Sequence, residues 1–381
     1  MSKVTLSLVG GQPFPVYAQA LDGKPDILVL FHSNQTKRNA QNIELCIKQK
    51  LPHTVVRKIL VDPNDLKQSH MTFNAHAQAW LKDDNQITVN LSGGTKPWSM
   101  QLLNIFRGKE NAKCVFIDQN NYIWDMATYE RRKFDHTRIS IDDKFALYGV
   151  KGSQRTSIND YDARDFSAIR QIEKLYRFNR NALREITTRI NDDEKQGIKS
   201  GQYTSERYAG CSIERVGENE FRCTFEHRKF HTVTTVHVSS PNACRLMLNT
   251  GWFELKVAEI LSQWPSANQV WTNTSINYYN NTDTVNEIDI IVETNQDKLL
   301  FVECKTHVHD STDIDKFNDV IKSYGGLGGK RVFVTYSPMT GLPNDKCEVL
   351  RIPRFSTSSM RNGTQAFYDA LDKYMNTINA R

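Results

Sequence analysis

The chain has 381 residues, with 49 Lys and Arg against 43 Asp and Glu, a formal net charge of +6, 39% hydrophobic and 24% charged residues. At about 100–200 residues per domain this length predicts two or three domains with their own cores, and the ordinary composition excludes a wholly disordered, collagen-like or coiled-coil chain. No window approaches the roughly 18 consecutive apolar residues that span a bilayer, the opening MSKVTLSLVGG reads as a first strand and not a leader, and seven cysteines without a CxxC pair suit a reducing compartment, so a cytoplasmic protein with no membrane partner is expected.

Over residues 1–130, the β-branched runs VTLSLVG, DILVLFH, TVVRKILV, QITVNLS and CVFID alternate with the helical stretches FPVYAQAL, RNAQNIELCIKQ, one ending HAQAWLKD, and PWSMQLLNIF. Five strand runs alternating with four helices predict βαβ units and a mostly parallel sheet with helices on both faces. Ligands of such sheets bind where strands end and helices begin. From 131 the chain is basic, and apolar Ile169, Ile172, Leu175, Phe178, Leu183 and Ile186 predict a helix over 165–191. A break follows at 192–201. The runs FRCTFE and TVTTVHV, either side of 227–231, predict a small hairpin or winged element. From 241 the order becomes α-β-β-β-α-β: a helix near 251–261, a strand near 270–278, NEIDIIVE, LLFVECK, a helix near 313–324, and RVFVTY after the Gly-rich 325–329.

Charge is unevenly spread along this order. Residues 1–130 carry 14 basic and 11 acidic side chains, 131–240 carry 21 and 16, and 241–381 carry 14 and 16. Residues 131–184 alone hold 13 basic against 7 acidic. That surplus equals the surplus of the whole chain, which permits a polyanion partner and also permits a merely solvated helix face.

Asp289 lies in one apolar strand, and Glu303 and Lys305 in the next, across the turn-forming TNQDK. Side chains repeat every two residues along a strand, so Glu303 and Lys305 share a face, Cys304 points to the other, and Asp289 can face them from the neighbouring strand. Two carboxylates can hold Mg²⁺ or Mn²⁺ with room for water and a phosphate oxygen, and a lysine can activate that water or offset charge on a phosphorane. The same short pattern also occurs in solvated hairpins with a surface ion pair, worth little energetically. The preceding amphipathic helix carries Glu254.

These residues resemble the PD-(D/E)xK nuclease superfamily, the fold of restriction endonucleases, over about residues 245–340. The resemblance implies Asp289 and Glu303 as metal ligands, Lys305 as catalytic lysine, Glu254 as an auxiliary acid, and the carbonyl of Cys304 as a further ligand. Ile288 stands where the nominal motif has Pro.

Two glycine loops mark the first domain: Gly10-Gly11-Gln12-Pro13 after the first strand, and Ser92-Gly93-Gly94-Thr95-Lys96 after the fourth, opening a helix. Paired glycines admit close backbone approach and helix N-termini favour phosphate. Neither loop is GxxxxGK[ST] or GxGxxG, and both could be plain tight turns. Ser33 and Asn34 end the second strand on the same edge. LVGGQPFP, HSNQTK and NLSGGTKPW together resemble a CARF domain, the Rossmann-like sensor of cyclic oligoadenylates, and GGLGGKRVFVTY resembles the nuclease half of the same family. The whole chain thus resembles the CARF-domain effector nucleases of type III CRISPR defence. The resemblance implies an α/β protein with three parts: a CARF domain over 1–140, a small mixed α+β, helical or winged connector over 141–240, and a PD-(D/E)xK domain over 241–381. It also implies a homodimer that binds cyclic tetra-adenylate through Gly10, Gly11, Gln12, Pro13, Ser33, Asn34, Ser92, Gly93, Gly94, Thr95 and Lys96, and a nucleic-acid substrate, single-stranded or duplex DNA or single-stranded RNA.

Two other readings stay open at this level: a restriction or repair endonuclease that needs no ligand, and a non-catalytic ligand sensor that binds nucleic acid. His227 and His231 lack a third ligand, so zinc is not expected. Trp271, Tyr278 and Tyr279 fit core packing or base stacking, and His307 and His309 fit a loop.

Overall fold

The computed structural model describes residues 1–377 except 82, 83, 135–138, 249, 279, 280, 297, 309, 325–328, 361 and 362. His309, Tyr279 and 325–328 therefore lie outside the described residues. The first sheet is built from β1 (Lys3–Leu8), α1 (Phe14–Gly23), β2 (Ile27–His32), α2 (Lys37–Lys50), β3 (Val55–Leu60), α3 (Leu66–Leu81), β4 (Gln86–Asn90), α4 (Lys96–Phe106) and β5 (Ala112–Ile117). Two short strands, β6 (Tyr122–Asp125) and β7 (Arg131–Lys133), extend it. The order is β3-β2-β1-β4-β5-β6-β7, parallel through β5 and antiparallel beyond. Chain direction across the sheet reverses between β1 and β4, whose carboxyl ends therefore open a crevice. The central strands β1 and β2 are buried on both faces because helices cover both, in two separate cores centred on Leu28, Leu30 and Ile43, and on Leu6, Val89 and Leu102.

α5 (Ile141–Leu147) and β8 (Val150–Ser157) follow, then the long α6 (Ala163–Lys195). Asp162 and Asp165 form a reciprocal capping box at its start. The helix is not one rod: Asn179 has φ −154° and ψ 87°, and its side-chain oxygen accepts from the Ala182 N–H at 3.1 Å, capping the second half. β9 (Gly201–Thr204), β10 (Ser212–Gly217), β11 (Glu220–Glu226) and β12 (Val233–Ser239) form an antiparallel sheet in the order β12-β11-β10-β9. The expected hairpin is β11–β12, and two further strands with too few apolar residues to stand out in sequence enlarge it.

The third sheet collects α7 (Ala243–Met247), α8 (Gly251–Ser262), β13 (Ala267–Tyr278), β14 (Asn281–Thr294), β15 (Leu299–Lys305), α9 (Thr312–Tyr324), β16 (Lys330–Thr335), α10 (Leu342–Val349), β17 (Arg354–Ser356) and α11 (Gln365–Asn376). Its order is β17-β16-β15-β14-β13-β8, antiparallel from β8 to β15 and parallel from β15 to β17. The α-β-β-β-α-β order is as expected. β8 is not: residues 141–240 divide between two sheets, since β8 pairs with β13 as an edge strand. One core runs from Ile172 and Ile186 of α6 through Phe221 and Phe225 to Leu255, Ile290 and Val302, joining the second sheet to one face of the third. Phe301, Ile291, Phe317 and Phe333 fill the opposite face. Among the described residues no helix is long and apolar enough to cross a membrane.

Candidate functional site

The crevice between β1 and β4 brings both glycine loops together. A Cβ on Gly93 would lie 2.0 Å from the Leu8 carbonyl oxygen, and one on Gly10 would lie 2.9 Å from the Gly94 nitrogen, so the loops touch through backbone. Gly94 has φ +70°, a conformation a side chain resists. Thr95 caps α4 by accepting from the Trp98 N–H, and Lys96 is exposed at the first turn of that helix. Gly11 and Asn34 are exposed beside them. Asn39 anchors the first loop by donating to the Gly10 carbonyl at 2.9 Å.

Four of the expected residues are engaged in building this edge. The Ser92 hydroxyl donates to Asn90 Oδ1 at 2.6 Å and accepts from the Ile117 N–H at 2.7 Å. Ser33 is buried and shares contacts with Thr36. Pro13 is buried and its carbonyl accepts from the Tyr17 N–H. Gln12 is half-buried, its side-chain oxygen accepting from the Tyr148 hydroxyl. Lys37 and Arg38 line the adjoining cleft at the start of α2 with Asn34, Gln41 and Asn42. Exposed cations, open glycine backbone and a helix N-terminus on one edge make an anion-binding surface. Only topology reveals the part played by Arg38 and Tyr148, because both are remote in sequence from the loops.

The second site lies where β14 and β15 part. Their pairing runs from Glu293–Leu299 to Ile290–Val302 and stops there. Continued by one residue, that register sets Asp289 opposite Glu303 at the mouth of the notch. Asp289 reaches across it, its Oδ2 accepting from the Cys304 N–H at 2.7 Å. Lys305 Nζ donates to Glu303 Oε1 at 2.7 Å, the two side chains being 34% and 14% exposed. Cys304, one residue out of phase, is buried in the core on α6 and α8, as alternation requires. Glu254, in the first turn of α8, completes the group.

Electrostatics set this cluster apart from a solvated hairpin. Burial, followed by the neighbouring charges of Glu303 and Glu254, pushes the Asp289 carboxyl up. Burial likewise raises Glu303, against the pull of Lys305. Burial raises Glu254 to about 7, with Arg245 opposing and Glu287 adding to the rise. For Lys305 burial alone would lower the pKa, and the carboxylates of Glu303 and Asp289 outweigh it, raising it. Three carboxyl groups crowded around one ammonium are short of positive charge. They fit a divalent cation in that respect. Among the described residues no three His, Cys, Asp or Glu side chains gather tightly enough to enclose a metal by themselves.

Arg245 was not apparent in the sequence. A Cβ on Gly251 would lie 2.7 Å from the Arg245 carbonyl oxygen, a close approach of α7 and α8 that sets the guanidinium beside Glu254. The guanidinium donates to the Tyr161 hydroxyl, and the Asn273 amide oxygen, in the orientation that satisfies both groups, accepts from it at 3.0 Å. Asn273 takes φ 48° inside β13, where the register with β8 shifts. Trp271 packs at the edge of the core under Arg155, with no role in the cluster. His227 and His231 face different partners, Phe178 and Glu226, and do not converge as a metal pair.

Residues 6–144 match the family model described as the Card1 CARF domain. A search of curated proteins returns no match. Among solved structures, Can2 from Sulfobacillus thermosulfidooxidans in complex with cyclic tetra-adenylate is similar with a TM-score of 0.68 at 18% identity, over 98% of this chain and 100% of that one. Protein VC1899 from Vibrio cholerae is similar with a TM-score of 0.73 at 13% identity, over 98% and 99%. A type III CRISPR defence DNA nuclease activated by cyclic oligoadenylate gives 0.51 at 15% identity, over 90% of this chain and 47% of that one. The likeness is one of fold: an N-terminal CARF domain followed by a further C-terminal domain.

Proposed function

We propose that this chain, whose residues 6–144 form a CARF domain, is a metal-dependent nuclease of type III CRISPR defence, activated when that domain binds cyclic tetra-adenylate. The reading divides the chain into a sensor over 1–140, a connector over 141–240 and a PD-(D/E)xK domain over 241–381. The observation that carries it is the notch at the end of the β14–β15 pairing, where Asp289, Glu303 and Lys305 meet beside Glu254. The ring ligand in the Can2 complex supports the choice of activator.

Asp289 and Glu303, with the carbonyl of Cys304, would hold Mg²⁺ or Mn²⁺; such a cation keeps several waters, which suits a site of few protein ligands. When bound it polarises a phosphate oxygen and lowers the pKa of its water. Lys305, oriented by Glu303, is placed to hold a proton or offset charge at the attacked phosphate. Glu254, with a pKa near neutrality, is suited to exchange a proton at working pH. Arg245 supports Glu254 from outside. At the other end, Lys96, Thr95 and the amides of both glycine loops take phosphates. A ring of two-fold symmetry calls for the same loops from a second subunit, so the active species is a homodimer.

The test is one incubation series: labelled single-stranded DNA, plasmid and single-stranded RNA with Mn²⁺, with and without cyclic tetra-adenylate. Cleavage only with the ring is expected. Equal cleavage without it would make the enzyme ligand-independent, and no cleavage of any substrate would end the nuclease reading.

A further inference from the structure

The loop between β11 and β12 carries an aromatic step that the cleavage chemistry leaves unused. Phe230 is 73% exposed and stacks on His227, with ring centroids 4.7 Å apart and planes at 25°. His227 in turn meets Phe178 of α6 edge-on, at 5.3 Å and 81°. The step is rigid. Lys229 and Phe230 N–H groups both donate to His227 Nδ1, at 3.1 and 3.2 Å. The Arg228 N–H donates to the Phe178 carbonyl at 3.2 Å, next to the interruption of α6 at Asn179. One ring is thus held face-outward by backbone bonds instead of folding onto the surface.

Its surroundings are cationic. Lys174, Arg180, Arg228 and Lys229 are exposed, and among the described residues none of them forms an ion pair. Lys174 Nζ lies 5.8 Å from the Phe178 ring. Arg180 lies near the Tyr176 hydroxyl, Tyr176 meets Tyr336 edge-on at 4.8 Å, and the Tyr336 N–H donates to the Lys305 carbonyl at 3.2 Å. Aromatic and basic side chains therefore lead from Phe230 to the rim of the carboxylate notch. A protein partner would need apolar surface around Phe230. Val233, 63% exposed, supplies little of it, whereas a flat open ring amid cations complements unpaired bases on a phosphate chain.

We propose that Phe230, backed by His227, is a stacking platform for an unpaired base, with Lys174, Arg180, Arg228 and Lys229 taking the flanking phosphates and directing a single strand to the notch. Delivery to the notch rests on the nuclease reading; capture of the strand does not. Stacking is indifferent to the sugar, so single-stranded DNA and RNA share this chemistry.

The test uses the full-length Glu303→Gln protein with fluorescent oligo-dT, oligo-U and a blunt duplex, followed by anisotropy at two salt concentrations. Phe230→Ala should weaken both single strands about 10-fold and leave the duplex unchanged, while Phe230→Trp restores binding. Arg228→Ala with Lys229→Ala should shallow the salt dependence. Loss confined to one oligomer identifies the strand the platform serves. Unchanged single-strand binding by Phe230→Ala, or equal loss for duplex, overturns the platform. If the wild-type protein cleaves nothing but Phe230→Ala still loses single strands, the nuclease reading fails and the platform stands.

Discussion

The hydroxyl of Tyr148 donates to the side-chain oxygen of Gln12 across 3.2 Å. Gln12 belongs to the first glycine loop, while Tyr148 closes α5 two residues before β8 enters the third sheet. Asn42 of α2 clamps the same corner by donating to the Leu147 carbonyl at 3.1 Å. A ligand that shifts the loop thus pulls on the edge of the sheet that carries the notch. A neutral hydrogen bond of this kind is worth about 0.5–1.5 kcal/mol. Tyr148→Phe should bind cyclic tetra-adenylate within about 3-fold of the wild type, yet need several-fold more of it for half-maximal cleavage, by calorimetry set against an activation curve. Unchanged activation would remove this contact from the coupling.

The two sites should separate genetically. Glu303→Gln and Lys305→Ala should each lower activated cleavage by about 10²–10⁴ while binding of the ring is unaffected. Thr95→Ala combined with Lys96→Ala should do the reverse, weakening the ring and leaving residual cleavage at saturating ligand. Full cleavage by Glu303→Gln would refute the site.

Glu254 links the notch to pH. Its carboxyl rises from the ordinary glutamate range to about 7, so the metal-free folded state holds its proton more tightly than the unfolded chain does. Stability from this group is therefore greatest below about pH 4.5, declines as pH climbs to about 7, and is flat above. Wild type minus Glu254→Gln, measured by thermal melts in chelator, should fall across that window by on the order of 1–3 kcal/mol. Mn²⁺ should stabilise the wild type more at pH 8 than at pH 5.5, because protons compete for the same oxygens. A difference curve that rises with pH would contradict the arrangement.

Lys144 of α5 and Glu293 of β14 form an ion pair across the two halves, with side chains 6% and 11% exposed. Removing one partner strands a buried charge. Lys144→Met should cost roughly 3–5 kcal/mol in urea unfolding, and the double change with Glu293→Leu should recover most of it. Equal losses in single and double variants would show that the pair is not the source.

Much of this architecture is legible in the sequence because burial writes a period into it. The five parallel strands of the seven-stranded first sheet coincide with β-branched runs closed by glycine or polar turns, and Asp289, Glu303 and Lys305 are charges beside IIV and LLFV. What escapes is whatever depends on long-range contact. VKGSQRTS has no alternation to mark β8, since an edge strand covered on few sides needs none. Asn179 interrupts a helical period without altering it. Arg245 reaches Glu254 only because Gly251 lets two helices touch. Ser92 and Ser33 lie on the edge where β1, β2 and β4 end, and their hydroxyls are engaged within the loops they shape.

β8 also bears on how the protein can be taken apart. It covers β13, twelve residues long, over positions from Trp271 to Tyr278. A fragment beginning at 241 would carry every residue of the notch, yet would present that strand with a bare row of N–H and C=O groups, an invitation to self-association. Any autonomous unit built around the notch must begin before residue 150, in the stretch that leaves the first sheet. The two ends of the chain are stitched by a shared hem, and recombination that exchanges one of them has to cut ahead of it.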